Sequence, residues 1–107
     1  MRTITKQEEQ ILLIIHSLKE KAYLVTIRDK LMDITGREFD VGTVYKPLKR
    51  LNKDGFLDTY LGEPTSVRGG KAIKYYKLSK NGIEVLREVK KVQEKLWENV
   101  VLTEFNF

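Results

Sequence analysis

The chain has 107 residues and a mass of 12.5 kDa, with 41% hydrophobic residues that include one tryptophan, five tyrosines and four phenylalanines; this is one domain with enough apolar content for a packed core, and it excludes a disordered chain. Twenty Lys and Arg against fifteen Asp and Glu give a net charge of +5, which suits an anionic partner. Cysteine is absent, so disulfides, zinc–cysteine sites, iron–sulfur clusters and thiol nucleophiles are excluded.

Thr5-Lys6-Gln7-Glu8 reads as a capping box, with the Thr5 hydroxyl and the Glu8 carboxylate each serving the other's backbone N–H. The helix it opens runs to about Lys19, and its Ile11–Ile15 run makes most of the circumference apolar. A small domain seldom surrounds such a helix, so part of it is expected to face a second subunit. A short second helix is expected from Thr26 as N-cap, with Ile27, Leu31 and Ile34 on one side and Gly36 as its stop.

A third helix opens between Asp40 and Thr43 and ends at Asp54-Gly55. Thr43 is the favoured N-cap, because that register leaves Pro47 close to the first turn, where a missing N–H costs least. On a helical wheel Val41, Val44, Tyr45, Leu48 and Leu51 lie within about 120°, and Lys46, Lys49, Arg50 and Lys53 lie within about 100° on the other side. Phe56–Leu61 and Ala72–Leu78 read as two strands joined by the Gly-, Pro- and Ser-containing loop from Gly62 to Gly70. Ser79 caps a last helix expected to reach about Thr103, some 36 Å long at about 1.5 Å per residue. On it Val85, Val89, Val92 and Leu96 form a coiled-coil-like seam, with Ile83, Leu86, Trp97 and Val101 on a neighbouring face.

The basic charge is localised. From Lys46 to Lys80 there are nine bases and three acids, whereas the remaining 72 residues hold eleven bases and twelve acids. A clustered patch of this kind is the footprint of a nucleic-acid binder. Helix, short helix, basic helix, hairpin is the order of a winged helix-turn-helix, here with a long C-terminal helix. The expected class is therefore mainly α with a small β-hairpin. Residues 1–79 would form the DNA-binding domain, with residues 80–107 as a dimerisation helix packed on it.

Gly42-Thr43-Val44-Tyr45-Lys46-Pro47-Leu48-Lys49-Arg50-Leu51 followed by Asp54-Gly55-Phe56-Leu57 resembles the recognition-helix signature of PadR-type transcriptional regulators. Gly69-Gly70-Lys71-Ala72-Ile73-Lys74-Tyr75-Tyr76-Lys77-Leu78-Ser79 is similar to that family's wing, strand and helix cap. The resemblance covers about forty residues in one block and implies the short PadR subgroup, whose C-terminal helix dimerises and whose members regulate transcription, commonly as repressors. Some members of that subgroup bind flat aromatic compounds between dimer tryptophans, which makes Trp97 a candidate residue for a planar aromatic effector; the alternative is a tryptophan packed in the interface.

On this reading Thr43, Tyr45, Lys46, Lys49, Arg50 and Lys53 face the major groove of double-stranded DNA. There arginine reads guanine, lysine reaches guanine or phosphate, and threonine touches a thymine methyl or a phosphate. Arg68, Lys71 and Lys74 of the wing (62–71 and its strand) meet the backbone, and Thr26 and Arg28 hold a phosphate more weakly. The Gly-Gly-Lys of the wing lacks the rest of a phosphate-loop pattern. His16 is the single histidine and has no ligand-like neighbours in sequence. No metal site, cofactor or catalytic constellation is expected, nor any membrane association, because the longest apolar run is far short of the ~20 residues of a spanning helix and signal-peptide order is missing. The expected protein is a cytoplasmic homodimer reading a pseudo-palindromic operator. The alternative is a winged-helix interaction module whose basic face meets an acidic protein.

Overall fold

The structure, a computed structural model, describes residues 2–62 and 72–105. Helices α1 (Lys6–Leu18), α2 (Leu24–Thr35) and α3 (Val41–Lys53) lead into an antiparallel pair, β1 (Leu57–Leu61) and β2 (Lys74–Leu78), and then into α4 (Lys80–Trp97). Single 3₁₀ turns lie at Lys19–Lys21 and Leu102–Glu104.

Helix α1 is the centre of the core. Ile11, Leu12, Ile14 and Ile15 are buried against Ile27 and Leu31 of α2, Val44, Leu48 and Leu51 of α3, and Phe56, Leu57, Tyr76 and Val85. Leu13, from the same apolar run, is 49% exposed. In the strand pair Leu57 stands opposite Leu78 and Thr59 opposite Tyr76 on the core side, while Asp58–Lys77 and Tyr60–Tyr75 share the other face. The hairpin is moored to the α1–α2 link, where the Tyr76 N–H donates to the Ala22 carbonyl at 2.8 Å and Tyr23 bridges to Tyr75. Helix α4 starts on the same mooring. Ser79 accepts the Gly82 N–H as N-cap and donates its hydroxyl to the Gly55 carbonyl. A Cβ at Gly82 would stand 2.2 Å from the Phe56 carbonyl oxygen, so only glycine lets the helix approach this closely.

The capping box at Thr5 and Glu8 forms as its sequence predicts, with the Glu8 N–H donating to Thr5 Oγ1 at 3.1 Å and the Thr5 N–H to Glu8 Oε1 at 2.8 Å. Gly36, at φ +70°, ends α2 in the left-handed region. The strands start later than expected, at Leu57 and Lys74, and three helix boundaries differ from expectation. Helix α2 begins at Leu24, so Thr26 is its third residue and accepts the Tyr23 N–H rather than capping from outside. Helix α3 is capped by Asp40 and not by Thr43: the Asp40 carboxylate accepts the Thr43 N–H and also the Thr43 hydroxyl, which places Thr43 inside the first turn. Pro47 therefore lies inside the helix and is buried, and its missing N–H leaves the Thr43 carbonyl without the bond it would otherwise accept. Helix α4 stops at Trp97, about 27 Å from its start; Asn99, at φ +66°, turns the chain out of the helix well before Thr103.

Candidate nucleic-acid interface

The amphipathic wheel of α3 decides what it presents. Val44, Pro47, Leu48 and Leu51 are buried, which sends Lys46, Lys49 and Lys53 to the opposite, exposed side. Among the described residues none of these three lysines makes an ion pair. Their ammonium groups thus stand open to solvent on one helix face, with the Asp40 carboxylate near Lys46 at the start of the helix.

The flanks are more constrained. Thr43 is exposed, and both its N–H and its hydroxyl donate to Asp40 Oδ1 at 2.7 Å. These bonds hold the Asp40 carboxyl below its ordinary range, with the Thr43 hydroxyl as the larger cause and the nearby Lys46 charge a smaller one. Thr43 can therefore offer a methyl and lone pairs outward while its proton stays with Asp40. Tyr45 stands on the opposite flank, about half exposed, towards the hairpin. Burial pushes the Tyr76 phenol up, and neighbouring Tyr45 adds a smaller push in the same direction. The Lys74 ammonium lies 5.7 Å from the centre of the Tyr76 ring, so the first residue of β2 sits beside the α3 flank that carries Tyr45. Arg68 and Lys71 lie outside the described residues.

Arg50 occupies the flank nearest α1. Its Nε is 3.6 Å from Glu8 Oε2 while its side chain stays 54% exposed. Glu8 is buried, and its fork is filled by Arg2, whose Nη1 and Nη2 donate to Oε1 and Oε2 at 2.9 and 2.8 Å. Arg2 also donates from Nε to Asp54 Oδ2 at 2.6 Å and lies over the Phe56 ring. Periodicity showed Glu8 only as half of a capping box and gave no signal for Arg2, Asp54 or their meeting with Arg50. The Asp40 cap was legible as an Asx residue three positions before Thr43.

The second-helix candidates are less free. Thr26 Oγ1 accepts from the Tyr23 N–H and donates towards the Lys21 and Tyr23 carbonyls, which occupies its hydroxyl. Arg28 pairs with Asp29 at 3.0 Å. On α4 the expected seam is divided: Val85 is spent on the core of its own chain and Val89 is half-buried, whereas Val92 and Leu96 are 54% and 72% exposed. Trp97 is 58% exposed. His16 is exposed on α1. No group of acidic, histidine or cysteine side chains among the described residues could hold a metal. No helix among them is long and apolar enough to cross a membrane.

Helix–turn–helix, a basic third helix and a moored hairpin now stand together with the matching sequence block. Residues 11–88 match the Transcriptional regulator PadR-like family. The chain belongs to that family. It is a transcriptional regulator by family and not an enzyme. A PadR-like transcription factor from Bacteroides fragilis is 32% identical over 86% of this chain and 84% of its own, with a TM-score of 0.73. A PadR-like transcriptional regulator from Bacillus cereus is 28% identical over 84% of this chain and 82% of its own, at 0.70. RosR of H. salinarum shares the fold at 18% identity, with a TM-score of 0.71, over 94% of this chain and 83% of its own. Among curated proteins no significant match is found.

Proposed function

We propose that this PadR-like chain is a homodimeric, cytoplasmic repressor that binds a pseudo-palindromic operator with α3 in the major groove and the 62–71 wing on the backbone. The observation that carries the reading is the face of Lys46, Lys49 and Lys53, exposed together on the outer side of α3 with no ion pair among the described residues. Such a face attracts phosphates and displaces their counterions, and Arg50 and Thr43 at its edge supply groups able to read bases. Lys74 extends the same positive surface onto the hairpin, and on this reading the wing bases Arg68 and Lys71 supply further phosphate contacts.

Dimerisation follows from unsatisfied apolar surface. Helix α4 stays tied to α1 as far as Gln93, whose amide donates to the Glu9 carboxylate, while Val92, Leu96, Trp97, Val101 and Leu102 are exposed. On the face of the same helix turned away from Val92 and Leu96, the face that also carries Trp97, a groove of about 990 Å³ is lined by Leu13, Tyr60, Ile83 and Leu86. One chain thus carries both an apolar projection and an apolar recess, and a second copy related by a two-fold axis covers both at once. Trp97, near that axis on this reading, is the candidate platform for a planar aromatic effector.

The test is binding to labelled duplex DNA across a salt series. With three or four phosphates neutralised per subunit, log K against log[salt] should slope at about −5 to −7. Lys49→Ala should weaken binding to all sequences alike and make the slope shallower by about two per dimer. Absence of duplex binding at any salt would hand the basic face to an acidic protein partner.

A further inference from the structure

Glu8 is a single buried carboxylate with two guanidinium groups within reach. Its fork belongs to Arg2, at 2.9 and 2.8 Å, and Arg50 is left at 3.6 Å through Nε alone. Arg2 is in turn fixed by Asp54 at 2.6 Å, by the Thr3 carbonyl at 3.0 Å and by the Phe56 ring beneath it. With every one of these bonds made, Arg2 has little left for an outside partner. The terminal nitrogens of Arg50, by contrast, donate to no partner among the described residues.

A buried carboxylate does not stay unpaired, because its desolvation must be met by a cation or a proton. If Arg2 leaves the fork, the nearest cation is Arg50, and a small rotation about its side-chain torsions brings its terminal nitrogens onto Glu8. Those nitrogens would then point towards α1 and away from the outer face of α3. We propose that Arg2 is a positioning residue for DNA binding: by filling the Glu8 carboxylate it keeps the Arg50 guanidinium on the outer flank of α3, free to reach the duplex. This rests on the reading of α3 as the DNA-facing helix. It assigns the segment before α1 a role in recognition without contact to DNA.

Two measurements on the full chain test this. In the free protein, the ¹⁵N–¹H Nε correlation of Arg50, identified by its loss in Arg50→Ala, should shift in Arg2→Ala as the guanidinium moves onto Glu8. On a selected duplex, Arg2→Ala should weaken binding by about tenfold per half-site, the cost of one lost arginine contact. In an Arg50→Ala background it should add nothing further. Glu8→Gln placed on Arg2→Ala should restore affinity, since a neutral amide no longer draws Arg50 inward. Arg2→Lys, which keeps charge but cannot fill both carboxylate oxygens and Asp54, should fall between, and serves if Arg2→Ala unfolds. An unmoved Arg50 correlation, or equal weakening by Arg2→Ala with and without Arg50, would overturn the proposal; the second outcome would make Arg2 a phosphate contact. If the Arg50 correlation shifts but the unmodified protein binds no duplex, the DNA reading fails and the competition for Glu8 stands.

Discussion

Replacing Glu8 by Gln should flatten the acid limb of this protein's stability. In the folded chain the Glu8 carboxylate accepts two bonds from Arg2 and one from the Thr5 N–H. These bonds, Arg2's first, outweigh the upward push of burial and pull its pKa from 4.5 to about 2. A carboxyl whose folded pKa lies below its unfolded one binds its proton more readily in the unfolded chain. The contribution is therefore complete above about pH 5 and disappears as the pH falls towards about 2. At 1.36 kcal/mol per unit, the shift is worth on the order of 3 kcal/mol. Glutamine keeps the cap, because its amide oxygen still accepts the Thr5 N–H, but it offers Arg2 one acceptor in place of a charged pair. Urea titrations at fixed protein concentration should show Glu8→Gln unfolding about 1–3 M earlier than the unmodified chain near neutral pH, given slopes typical of small domains. The gap should close steadily below about pH 4.5 and vanish near about pH 2. Parallel curves across that window would refute the reasoning, since the Glu8 charge would then contribute equally to folded and unfolded chains.

Gly82→Ala should destabilise by about 2 kcal/mol or more, read as a fall in melting temperature, because its Cβ meets the Phe56 carbonyl and neither backbone can yield freely. Val92→Glu places charge on the exposed apolar side of α4 and should shift the protein from dimer towards monomer in light scattering; an unchanged dimer would move the interface elsewhere. Planar aromatic cations should quench the emission of Trp97, the only tryptophan; a broad panel that leaves both emission and DNA affinity untouched would assign Trp97 to packing alone.

The sequence by itself determined the order of elements and the character of each face. The capping residues Thr5 and Ser79, the stop at Gly36, and the opposition of Lys46, Lys49 and Lys53 to Val44, Leu48 and Leu51 are properties of residues three or four apart, and short-range periodicity carries them. The resemblance to PadR-type regulators was legible for the same reason: its motifs are contiguous. What only the tertiary structure decided involves partners far apart in the chain. The exception is the cap of α3, a local choice between Asp40 and Thr43 that went to the carboxylate taking two bonds from one residue. Val85 looked equivalent to Val92 in the seam, yet packing of the start of α4 on the hairpin buries one and leaves the other to solvent. Arg2, Glu8, Arg50 and Asp54 meet only because α1 lies across the end of α3. No local pattern encodes the buried charge that joins them, since its cost and its compensation exist only once water has been excluded from between the helices.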